Sequence, residues 1–104
     1  MKKYPTIWEA SEAVAKALKS NVLGNCYTTS VAIYFLTGKN KKLKLYGSND
    51  HYWLRGPYGV FIDLTAGQFH NPIPHYLDAI EESFPRSPER EAQYLMRKAK
   101  TYLK

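Results

Sequence analysis

The sequence predicts an α+β domain: an N-terminal helix, a buried helix carrying the only cysteine, a small antiparallel sheet against it, and a C-terminal helix. Three observations predict it. Helical periodicity occurs near both ends of the chain. One central run, Val31 to Leu36, is apolar on every side, as expected of a helix covered all round. Between these lie short, turn-bounded stretches rich in Val, Ile and aromatic residues, which favour strands. At 104 residues and 44% hydrophobic content, one domain spanning 1–104 with a modest core is expected.

The elements follow in order. Thr6 and Glu9 stand three residues apart before an apolar stripe. This is the capping-box pattern, in which each side chain accepts from the other residue's backbone N–H. Ile7, Ala10, Val14, Ala17 and Leu18 share one face, and a helix is expected over about residues 6–20. Asn25 is a plausible N-cap for a second helix from Cys26 to about Leu36, with Gly38 as its terminator. Lys42 to Tyr46 alternates polar and apolar residues and predicts a strand. His51–Leu54 and Val60–Asp63 are the next two strands, separated by an Arg-Gly-Pro-Tyr-Gly loop. Leu64 to Pro74 reads as irregular chain, and Tyr76 to Glu82 as a short helix. Ser87 at N-cap and Pro88 at N1 are expected to start the last helix. Its stripe runs through Ala92, Leu95, Met96, Ala99, Tyr102 and Leu103.

The hairpin holds the chemistry. With a five-residue loop at Arg55 to Gly59, Leu54 opposes Val60, Trp53 opposes Phe61, Tyr52 opposes Ile62 and His51 opposes Asp63. Opposed side chains share a face with Cβ atoms about 4.5–5.5 Å apart. An imidazole then lies beside a carboxylate that can fix its tautomer. A one-residue slip would separate them to opposite faces. Cys26 opens a helix, where free N–H groups and the helix dipole favour a thiolate. The same N–H groups can hold an oxyanion. Cys26, His51 and Asp63 are therefore the expected catalytic residues: nucleophile, base and orienting group. The bland alternatives are a cysteine that only packs and an aspartate that only caps the turn after it.

These residues resemble the papain-like superfamily, in which a cysteine opens a buried helix packed on a sheet that carries the histidine and then an aspartate or asparagine. The resemblance extends to transglutaminase-like proteins. It is closer to the small bacterial YunG-like family, through Gly24 and Cys26, His51-Tyr52-Trp53, Asp63-Leu64-Thr65, Gln68-Phe69 and Tyr94-Leu95-Met96. It implies a papain-like core and a thiol hydrolase or acyl transferase, with a protein or peptide as substrate. Papain's oxyanion glutamine, six residues before the cysteine, is replaced here by Ser20. Asn25, Gln68 and Trp53 are the candidates for oxyanion or substrate contact, and Asn21 is a further possible donor.

Composition narrows the alternatives. The net charge is +6, and the lysines are scattered over the N-terminus, residues 39–44 and the C-terminal helix. A solvated basic surface is expected rather than a nucleic-acid site, since no RNA-binding signature or basic recognition helix occurs. Close ligand pairs such as Cys-x-x-Cys are absent, so neither a metal nor another cofactor is expected. No apolar run is long enough to span a membrane, and the Met-Lys-Lys start is not followed by a signal-peptide core. With one cysteine, this points to a cytoplasmic protein. A catalytically inactive binding module on the same fold is the second expectation.

Overall fold

The computed structural model describes residues 3–18, 26–48, 51–63 and 79–103. Helix α1 spans Ile7–Leu18. Its start is the reciprocal capping box: Thr6 N donates to Glu9 Oε1 at 2.9 Å, and Glu9 N donates to Thr6 Oγ1 at 3.1 Å. The predicted face is buried, with Ile7, Ala10, Ala13, Val14 and Ala17 turned inward. Residues 19 and 20 of the predicted helix lie outside the described residues.

Helix α2 spans Cys26–Leu36 and buries eight of its eleven residues. This central helix has the bounds that its apolar run and Gly38 predict. It ends in a Schellman motif. Gly38 N donates to Phe35 O and Lys39 N to Tyr34 O, with Gly38 at φ 72° and Lys39 at φ 59°. Absence of a Cβ at Gly38 also lets the Tyr4 ring lie against it; an added Cβ would stand 2.7 Å from that ring.

The sheet contains β1 (Lys44–Ser48), β2 (His51–Arg55), β3 (Phe61–Ile62) and β4 (Ile80–Glu82). Its order is β3-β2-β1-β4, with every pairing antiparallel. Strand β1 begins two residues later than its alternation predicts, because Asn40 takes the preceding residues into a turn. Its Oδ1 accepts from Lys42 N at 2.9 Å, and its carbonyl accepts from Leu43 N at 3.1 Å. The short helix expected over Tyr76 to Glu82 is corrected: residues 80–82 form an edge strand, and residues 76–78 lie outside the described residues. Three residues carry no period to read, and the hydrogen bonds that define them come from β1.

Helix α3 spans Arg90–Lys100. Its N-cap is Glu89, not Ser87 as expected, so Pro88 precedes the cap instead of opening the helix. The Gln93 amide donates from Nε2 to Pro88 O at 2.9 Å. The Glu89 carboxylate turns away from its own helix and accepts from Thr28 Oγ1 at 3.3 Å. Leu43, Leu45, Leu54 and Ile62 meet Ala10, Val14, Ile33, Leu95 and Ala99 in one core. Among the described residues, the result is an α+β arrangement of three helices and a four-stranded antiparallel sheet. Among the described residues, no helix is long and apolar enough to cross a membrane.

Candidate active site

The hairpin that carries the histidine differs from the expected one by an even step. Leu54 pairs with Ile62 and Arg55 with Phe61, where Val60 and Trp53 were the expected partners. The loop is still five residues long, but it begins one residue later, at Gly56. Gly56 N donates to Val60 O at 2.8 Å and closes it, while Tyr58 and Gly59 turn the chain with φ of 62° and 73°. Sliding a loop of constant length by one residue moves the register by two. Side chains alternate with period two, so each residue keeps its face.

His51 and Asp63 are consequently diagonal neighbours rather than directly opposed. Continued by one residue, the observed register sets Asp63 across from Trp53. A diagonal pair remains within reach of long side chains, and His51 Nε2 lies 2.7 Å from Asp63 Oδ2. Both side chains are buried, at 2% and 6% exposure. A carboxylate in its ionised form can only accept, which makes Nε2 the donor when Asp63 is ionised. In the neutral ring, Nδ1 is then the basic nitrogen.

Trp53 belongs to the same layer. Its ring is 5.7 Å from that of His51 and 6.4 Å from that of Tyr46. Arg55 continues the row, with its guanidinium 5.9 Å from the Tyr46 ring and 5.1 Å from the Phe61 ring. Trp53 is 1% exposed, which makes it a wall behind the imidazole. Tyr46 and Arg55 are members that sequence reasoning missed, although the alternation of β1 puts Tyr46 on this face.

Cys26 is the first residue of α2 and is 8% exposed. Its carbonyl accepts from Ser30 Oγ at 2.9 Å. The next residue, Tyr27, meets Tyr52 edge to face, with ring centroids 5.1 Å apart. The immediate neighbours of Cys26 and His51 therefore touch, and the first turn of α2 is docked at the start of β2. Tyr52 faces the helices, so alternation turns His51 to the other face of the sheet. His51 is the first residue of β2, at the end of the strand where the first turn of α2 docks.

Two further features surround this junction. Burial, and then the charge of Glu89, raise the Tyr27 pKa above its ordinary value; Tyr52 and Glu82 add to the effect. Glu89 was not singled out from the sequence. It lies 61 positions from Thr28, and no local pattern joins them. Asn25 and Gln68, two of the candidate oxyanion donors, lie outside the described residues, as do Ser20 and Asn21. Among the described residues, no group of three or more His, Cys, Asp or Glu side chains has an arrangement that could hold a metal ion. No protein-family model matches the chain, and neither a curated protein nor a solved structure matches it.

Proposed function

We propose that the chain is a papain-like thiol hydrolase or acyl transferase in which Cys26 is the nucleophile, His51 the general base and acid, and Asp63 the orienting group. The observation that carries this reading is the buried 2.7 Å contact between His51 Nε2 and Asp63 Oδ2. It leaves Nδ1 as the atom to exchange a proton with sulfur. The Tyr27–Tyr52 contact supports the assembly by docking the cysteine-bearing turn at the histidine strand.

The chemistry follows from these parts. The Cys26 proton passes to His51 Nδ1, and the thiolate forms a bond to a carbonyl carbon, giving a tetrahedral oxyanion. The N–H groups of the first turn of α2 are the nearest donors for that oxyanion. Collapse breaks the bond to the leaving group, which takes the proton from His51. Water or an amine, deprotonated by His51, then attacks the thioester and releases Cys26. Water makes the enzyme a hydrolase or deamidase, and an amine makes it a transferase. A peptide or isopeptide amide is the substrate by analogy.

Iodoacetamide labelling tests the nucleophile directly. At pH 6, Cys26 should react at least tenfold faster than glutathione. The advantage should fall at least tenfold in His51→Ala and be reduced in Asp63→Asn, with circular dichroism showing each variant folded. A wild-type rate at or below that of glutathione removes Cys26 as a nucleophile.

One observation favours a second reading, a non-catalytic binding module on the same fold: Cys26 is 8% exposed. If labelling fails, binding to protein or nucleic acid becomes the leading reading. A nucleic-acid complex must then weaken steeply with added salt.

A further inference from the structure

A cleft of about 380 Å³ lies where the N-terminal segment crosses the C-terminal ends of α2 and α3. That volume falls in the range of small-molecule sites, roughly 300–1,000 Å³. Its floor is apolar: Phe35 and Leu36 come from α2, and Met96 and Leu103 from α3 and the turn after it. Its remaining wall is the segment Lys3-Tyr4-Pro5.

That wall is held at two points. The Tyr4 ring sits on the bare backbone of Gly38, where a Cβ would come within 2.7 Å. Directly after Pro5, the reciprocal bonds of Thr6 and Glu9 fix the chain at the start of α1. The cleft is therefore built by fixed elements and not by a loose terminus.

Among the described residues, Lys3 and Lys100 are the charged residues that line the cleft, and both are exposed. Among the described residues, neither makes an ion pair. The helix ends beside the cleft are negative ends of helix dipoles, which the two lysines must outweigh, and their last carbonyls are hydrogen-bonded. Lys39 and Gly38 cap α2, and Thr101, Tyr102 and Leu103 donate to the last carbonyls of α3. A larger cleft of about 690 Å³ on the other side of the same segment makes the contrast. Glu9 and Glu12 line it together with Lys3 and Lys16, and Lys16 pairs with Glu12 at 3.9 Å. Its mixed signs select no ligand charge.

We infer that the smaller cleft binds an amphipathic carboxylate, with its apolar tail on Phe35, Leu36, Met96 and Leu103 and its anionic head between Lys3 and Lys100. Neither Cys26, His51 nor Asp63 lines this cleft, so the inference does not depend on the thiol chemistry. Each half of the ligand follows from a different set of residues. The tail removes apolar surface from water, and the head forms charge-assisted hydrogen bonds to the ammonium groups.

The test titrates sodium decanoate, below its micelle concentration, into the full chain and follows backbone amide shifts by NMR. Shifts are expected to centre on Leu36, Lys100 and Leu103. Decyltrimethylammonium, with the same tail and opposite charge, should bind at least tenfold more weakly. Acetate, a carboxylate without the tail, should give no saturable shift. The double variant Lys3→Glu, Lys100→Glu changes only exposed side chains and should weaken decanoate at least tenfold. The inference is overturned if decanoate shifts no cleft residue, if the cation or acetate binds as well, or if the double variant keeps its affinity.

Discussion

Tyr27 joins the cysteine-bearing turn to the histidine strand, and its phenol gives that junction a pH dependence. Burial first, and the Glu89 charge second, hold its folded pKa above the ordinary value, which is about 10 in an unfolded chain. Below that unfolded value the phenol is protonated in both states, and its contribution to stability is fully present. As pH rises through the unfolded value towards the folded one, the unfolded state loses the proton first and stability falls. Urea midpoints measured from pH 8 to 11 should therefore drop more in the wild type than in Tyr27→Phe; parallel curves would show that Tyr27 does not titrate against the fold. Among single residues, His51 and Asp63 could be paired from the sequence because only the parity of the hairpin matters for a shared face. Cys26 could be set at a helix start from Asn25 and the apolar run after it. Glu89 could not be found: its link to Thr28 is a tertiary contact with no local spacing.

Helix α2 owes its clean end to Gly38. Left-handed backbone is inexpensive only for glycine and costs other residues about 1–2 kcal/mol. Gly38→Ala adds a Cβ at φ 72° and drives it into the Tyr4 ring. Unfolding free energy from urea titration should fall by about 1–2 kcal/mol, and a change under a few tenths would show that the Tyr4 seat is not packed as described. The three helices were the most legible elements: α1 from its capping box and 3.6-residue period, α2 from its continuous apolar run and Gly38, and α3 from its apolar stripe, all local properties. The short strands were the least legible. β4 consists of three exposed residues, Ile80, Glu81 and Glu82, and exists as a strand because β1 offers it an edge. The start of α3 moved from Ser87 to Glu89 for a related reason. A good local cap was available, but the chain turned into the helix two residues later.

Helix α3 packs against both α1 and α2, so it closes the core that the rest of the chain begins. Ala92, Leu95 and Ala99 are the residues it buries. A chain ending at residue 89 would leave their partners, including Ala10, Val14 and Ile33, without cover. That shortened chain should lose its cooperative thermal transition and bind the dye ANS, as loosely packed states do; a sharp transition with no dye binding would show that α3 is dispensable. Much of this arrangement is non-local, with β1 paired to a strand more than thirty positions later and α1 packed on the last helix. Such long-range contacts can be read from topology but not from windows of sequence, and they slow folding. They also set a schedule during synthesis. The apolar α2 leaves the ribosome well before α3 can cover it, so the nascent chain carries its stickiest segment exposed until α3 emerges. The most aggregation-prone interval for this chain therefore lies between the emergence of α2 and that of α3, with the cysteine at the head of the uncovered helix.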